Sequence, residues 1–239
     1  MHARLIVPVL LICLAVPLAM GGDFWLKKPY QHGSPEETRR MLEESPWAET
    51  ITLSTAINNM PVLQQGGTET GPRTEMTTDP TITDTLQFRS AGPIREAQVR
   101  SSQLSSHYDS MSPDQKAAFD ASAGKFLGVT FSDRVGVSVT FHTNVLNYES
   151  LLRNYWSSQS LAKLSMTAYL NAGKERLSLL NYTFKEDTFQ FTFPRPKQLR
   201  PEEELSVEFV HPRTALIGEQ RIRQEFNLKK MLANGEPVF

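Results

Sequence analysis

Apolar and polar positions alternate without a break from Thr188 to Phe193, with Phe189, Phe191 and Phe193 set against Thr188, Gln190 and Thr192. A period of two places three rings on one face of a β-strand and three polar groups on the other. Pro194 and Pro196 end the ladder, since neither has an N–H to donate. Val135, Val137, Val139 and Phe141 alternate with Gly136, Ser138 and Thr140 in the same way, and strand-like runs recur at Met166–Leu170, Leu205–Val210 and Arg221–Leu228. Between Arg176 and Phe184 the apolar set shifts from Leu177 and Leu179 to Leu180, Tyr182 and Phe184, which predicts a bulged strand. Asn171-Ala172-Gly173-Lys174 reads as a turn. Strands joined this closely by polar turns favour an antiparallel meander.

The upstream pattern is largely helical. Ser34-Pro35-Glu36-Glu37 combines a capping serine, a proline at the first helical position and a glutamate that closes a capping box. Met41 and Leu42 face inward, and Pro46 ends the helix by restricting Ser45. Ile51, Leu53, Thr55 and Ile57 then alternate as a short strand. From Asn58 to Asp84, threonines, glycines and three prolines leave almost no apolar periodicity, so this stretch is expected to be a flexible linker or loop. Leu86 and Phe88 resume the alternation, and the two short strands are expected to pair across the loop. A second helix follows Pro93 with Ile94, Ala97 and Leu104 on its apolar side. Ser112-Pro113-Asp114-Gln115 starts a third, carrying Ala117, Ala118, Ala121 and Phe126, and Tyr148 to Trp156 reads as a fourth. The expected architecture is α+β: a mainly antiparallel sheet, or a sandwich, with three to four helices packed against it.

The N-terminus changes the domain reading. Arg4 precedes an apolar run from Leu5 to Leu18, and Ala19-Met20-Gly21 supplies small residues for cleavage. That is the pattern of a secretory signal, and the run is shorter than the roughly 20 residues a membrane span needs. Residues 1–21 are therefore set aside as a signal peptide and residues 22–57 as an N-terminal helix and strand. Residues 58–84 form the linker, and 85–239 an α+β body, either separate from 22–57 or in one domain with it. Export makes the compartment periplasmic or extracellular. Cys13 is the only cysteine, so the exported part has no disulfide and its stability rests on burial. A net charge of −1 without any block of like charge points away from nucleic acid.

Several short motifs carry a resemblance. Phe24-Trp25, the helix running into Ser45-Pro46-Trp47-Ala48, Ser90-Ala91 before Pro93-Ile94-Arg95-Glu96-Ala97, and the tail Phe226-Asn227-Leu228-Lys229-Lys230-Met231 resemble an uncharacterised family of exported bacterial proteins. The resemblance implies export and a shared fold, and names no catalytic residue.

Candidate chemistry is sparse. His32, His107, His142 and His211 are not within helical or hairpin spacing of one another, so they read as surface or turn residues and imply no metal. Ser160-Leu161-Ala162-Lys163 and Ser122-Ala123-Gly124-Lys125 both match S-x-x-K, yet no K-T-G follows either. No phosphate loop, dinucleotide fingerprint or G-x-S-x-G is present, and nothing implies a cofactor. Trp25 and Trp47 are candidate aromatics for gripping a partner and Arg95 is a third candidate contact, although such tryptophans are more often core plugs. Two functional classes follow. One is a non-catalytic module binding an envelope protein or polymer through a sheet face or edge. The other is a hydrolase whose site is assembled from dispersed residues, recognisable by a cleft of converging polar groups with perturbed pKa values.

Overall fold

In the computed structural model of the chain, residues 28–54, 81–145, 147–213, 218–233 and 236–239 are described. Two antiparallel sheets lie face to face in an α+β fold. The first holds five strands in the order β1-β2-β3-β7-β6: β1 (Ala48–Ser54), β2 (Thr81–Phe88), β3 (Arg134–Thr143), β7 (Thr188–Pro194) and β6 (Asn181–Lys185). The second holds β5 (Glu175–Ser178), β4 (Tyr169–Ala172), β8 (Leu205–His211) and β9 (Gln220–Phe226), in that order. The helices are α1 (Pro35–Glu43), α2 (Gly92–Ser105), α3 (Pro113–Leu127), α4 (Tyr148–Ser157) and the single turn α5 (Leu161–Leu164).

Local chemistry explains the boundaries. Both anticipated capping boxes form, with Ser34 and Glu37 exchanging bonds at α1 and Ser112 and Gln115 at α3. The alternation expected for β7 is observed, and Phe189, Phe191 and Phe193 are fully buried. Their rings meet the second sheet through Phe209 of β8, 5.8 Å from both Phe189 and Phe191, and Phe88 meets Phe226 edge-on at 4.8 Å. Helix α4 closes one side of this core: Trp156 stacks on Phe189 at 3.9 Å, and the Tyr182 hydroxyl donates to the Trp156 carbonyl. Strands β1 and β2 pair across the long connection, as expected, with Leu53 opposite Ile82.

Two expectations need correction. The run from Arg176 to Phe184 is two strands in different sheets rather than one bulged strand. Leu179 is buried and Leu180 is 53% exposed, because the chain crosses there from the second sheet to the first. The linker boundary at Asp84 lies too far along: residues 55–80 fall outside the described residues, but Thr81 to Asp84 are ladder residues of β2. Helix α3 buries none of its residues, so its alanines and Phe126 do not serve the core.

Candidate functional site

The inward face of β2 reads Ile82, Asp84, Leu86, Phe88, and that of β8 reads Leu205, Val207, Phe209, His211. Each strand therefore brings one titratable group into an otherwise apolar interface between the sheets. Asp84 and His211 are both 0% exposed, with Oδ2 and Nε2 4.0 Å apart. Neither oxygen of Asp84 has a hydrogen-bond partner among the described residues, and the same holds for His211 Nε2 and Trp156 Nε1. The Trp156 ring stands edge-on to the imidazole, centroids 6.3 Å apart.

The tautomer of His211 follows from its other nitrogen. Nδ1 lies 3.2 Å from the Pro212 carbonyl, an acceptor only, so Nδ1 carries the proton and donates it. In the neutral ring, Nε2 then turns a lone pair towards the carboxyl of Asp84. Burial penalises the charged forms on both sides. It pushes the Asp84 carboxyl up to about 7 and the His211 imidazole down to about 4, the bond to Pro212 opposing the latter only in part. Between those values the pair is a carboxylic acid facing a neutral imidazole. Acid and base are matched, but no substrate reaches them through a sealed sheet interface. The expectation that His211 is a surface or turn residue is thereby corrected, because β8 alternation carries it into the core.

The open features lie on the helical side. A groove of about 540 Å³ runs between α2 and α3, with Leu42, Val99, Phe119 and Phe126 as apolar lining and Gln98, Ser101 and Ser122 as polar lining. Arg89 enters it from the end of β2, and no acidic residue lines it. Gln87 locks the Gln98 amide, itself held by donating to the Leu42 carbonyl. Burial lowers the Arg89 pKa from its ordinary value.

The anticipated partner residues sit elsewhere. Trp47 is at the tip of a tight turn closed by Ser45 and Ala48, but its ring is 2% exposed and its Nε1 donates to the Val238 carbonyl, pinning the C-terminal segment. Arg95 donates to the carbonyls of Phe126, Leu127 and Val129 and so caps the C-terminal end of α3. Neither side chain is free to grip a partner in this conformation, and Trp25 lies outside the described residues. Because α3 buries nothing, it is held by surface contacts, of which the Arg95 bonds are one set and the Tyr108 hydroxyl bonded to Asp120 another. Arg95→Met is expected to loosen α3 by about 1–2 kcal/mol, speeding amide exchange across α3 while the sheets keep their protection. Unchanged exchange in α3 would show that another contact holds the helix.

Other sequence candidates resolve into local structure. Ser160 Oγ accepts from the Lys163 N–H as the cap of α5. Ser122 and Lys125 lie on the surface of α3. No group of three or more potential metal-ligating residues converges among the described residues, and no helix there is long and apolar enough to cross a membrane.

No protein-family model and no curated protein matches the chain. The resemblance read from short motifs therefore has no matching family behind it. Among solved structures, a protein of unknown function from Burkholderia pseudomallei K96243 aligns with 13% identity over 59% of this chain and 73% of its own, with a TM-score of 0.38. A likeness that slight carries no argument about fold or function.

Proposed function

We propose that this protein is an exported, non-catalytic binding module of the bacterial envelope or secreted space, and that the α2–α3 groove is its binding surface. One observation carries the reading: the strongly perturbed acid–base pair is sealed between the sheets, while the open groove is lined by apolar side chains, neutral polar groups and one cation. A hydrolase needs those two features together. The outer face of the second sheet is the weaker candidate, because its charges engage one another and bury Glu208 among them. Glu208 pairs with Arg221 and Arg176, and Glu204 with Arg223. Export rests on the apolar run and small residues at positions 1–21.

The test is capture from an envelope fraction with the wild-type protein and with Ser122→Trp, which fills the groove from an exposed helix position. The wild type is expected to retain envelope components that the variant loses. Equal capture by both would remove the groove from the function. Turnover of acyl, glycosyl or peptide substrates by the wild type would favour the hydrolase.

A further inference from the structure

We propose that the α2–α3 groove takes a small amphiphilic carboxylate, its headgroup paired with Arg89 and its apolar body laid along Val99, Phe119 and Phe126. The proposal rests on the binding reading above and adds the ligand's chemistry. Arg89 is fixed at its root: Phe88 before it ends β2, and Ser90 after it exchanges bonds with Gly136 of β3, donating to the carbonyl and accepting from the amide. Its guanidinium makes no hydrogen bond, ion pair or ring contact with any described residue. Neighbouring arginines behave otherwise. Arg95, Arg100 and Arg195 each donate to backbone carbonyls. A half-buried guanidinium without a counter-charge is costly, and a planar two-oxygen anion matches its fork of donors.

The remaining lining narrows the class. One cation and no acid suit a monoanion better than a doubly charged phosphate ester. The Ser101 and Ser122 hydroxyls line the same groove as neutral donors, and each is without a hydrogen bond to the described residues. Val99 is buried, and Phe119 and Phe126 are half-buried on α3, where Phe119 also meets the Tyr108 ring edge-on at 5.3 Å. A groove of about 540 Å³ falls within the range of small-ligand sites, roughly 300–1,000 Å³.

Sodium decanoate and decanol, matched in length and differing in charge, are the probes, followed by amide chemical shifts of the folded protein. Decanoate is expected to bind the wild type with shifts confined to Arg89, α2 and α3. Decanol, or decanoate with Arg89→Met, is expected to bind about 10- to 100-fold more weakly. Arg89→Lys, which keeps the charge, should recover part of the affinity, and spectra of the sheet residues report whether each variant is folded. Equal affinity for the two probes, or decanoate affinity unmoved by Arg89→Met, overturns the proposal. If neither probe binds, the ligand class falls. The binding reading then survives only if Ser122→Trp still abolishes envelope capture, so the two failures are told apart.

Discussion

Phe191→Ala is expected to lower the unfolding free energy by about 3–5 kcal/mol, a large share of the roughly 5–15 kcal/mol that holds a domain folded. The ring sits in the middle strand position of β7 with no exposed surface. It is flanked on its own strand by Phe189 at 5.1 Å and Phe193 at 6.0 Å, and covered from the facing sheet by Phe209 at 5.8 Å. Tyr182 closes the remaining side from β6 at 6.1 Å. Truncation removes the transfer free energy of the ring and leaves a cavity that rigid strands on both sides collapse into only partly. No disulfide is available within the sandwich to limit the loss. Gln190→Ala, on the opposite face of the same strand, should cost under about 1 kcal/mol. Urea unfolding of the two variants separates a core strand from an exposed stacking platform. Equal stabilities would mean that the rings do not hold the sheets together.

That strand was legible because its pattern is local: alternation alone decides which side each ring takes. The capping boxes of α1 and α3 were legible for the same reason, each being written in four consecutive residues. Sheet membership was not. The shift from Leu179 to Leu180 marks a change of phase, and a bulge and a crossover between sheets produce the same change of phase in sequence. Alanine and phenylalanine at helical spacing describe an apolar side of α3 without saying what covers it, so its position outside the core is not written in the sequence. Asp84 and His211 fall between these cases. Ile82-x-Asp84-x-Leu86-x-Phe88 and Leu205-x-Val207-x-Phe209-x-His211 both alternate, and extending either pattern by one step places its titratable residue inside. Reading 58–84 as one polar stretch cut Asp84 from its strand. Distance along the chain then hid its partner, 127 positions on, since only the packing of one sheet on the other brings them together.

The buried pair makes a second large prediction, visible only when the partners are separated. In the unfolded chain between about pH 4 and 6.5, Asp84 is ionised and His211 protonated, so the pair holds one proton. In the folded protein the carboxyl pushed up to about 7 keeps its proton and the imidazole pushed down to about 4 stays neutral, so the pair again holds one. Equal proton counts mean that the pair contributes almost no slope to stability against pH in this window. Asp84→Asn leaves His211 alone. A depressed folded pKa gives stability that is present above the unfolded value and lost as pH falls. The variant should therefore lose about 3 kcal/mol relative to wild type between roughly pH 6.5 and 4. His211→Asn, whose amide can still donate to the Pro212 carbonyl, leaves Asp84 alone. A raised folded pKa gives stability that is present below the unfolded value and lost as pH rises. This variant should weaken by about 3–4 kcal/mol from roughly pH 4 to 7. Urea unfolding of wild type and both variants at pH 4, 5.5 and 7 gives two difference profiles in which every other titrating group cancels. Slopes of opposite sign establish a carboxylic acid facing a neutral imidazole in the core. Two flat profiles would mean that both groups ionise in the folded state as freely as in the unfolded chain, and that the sheets do not seal them from water.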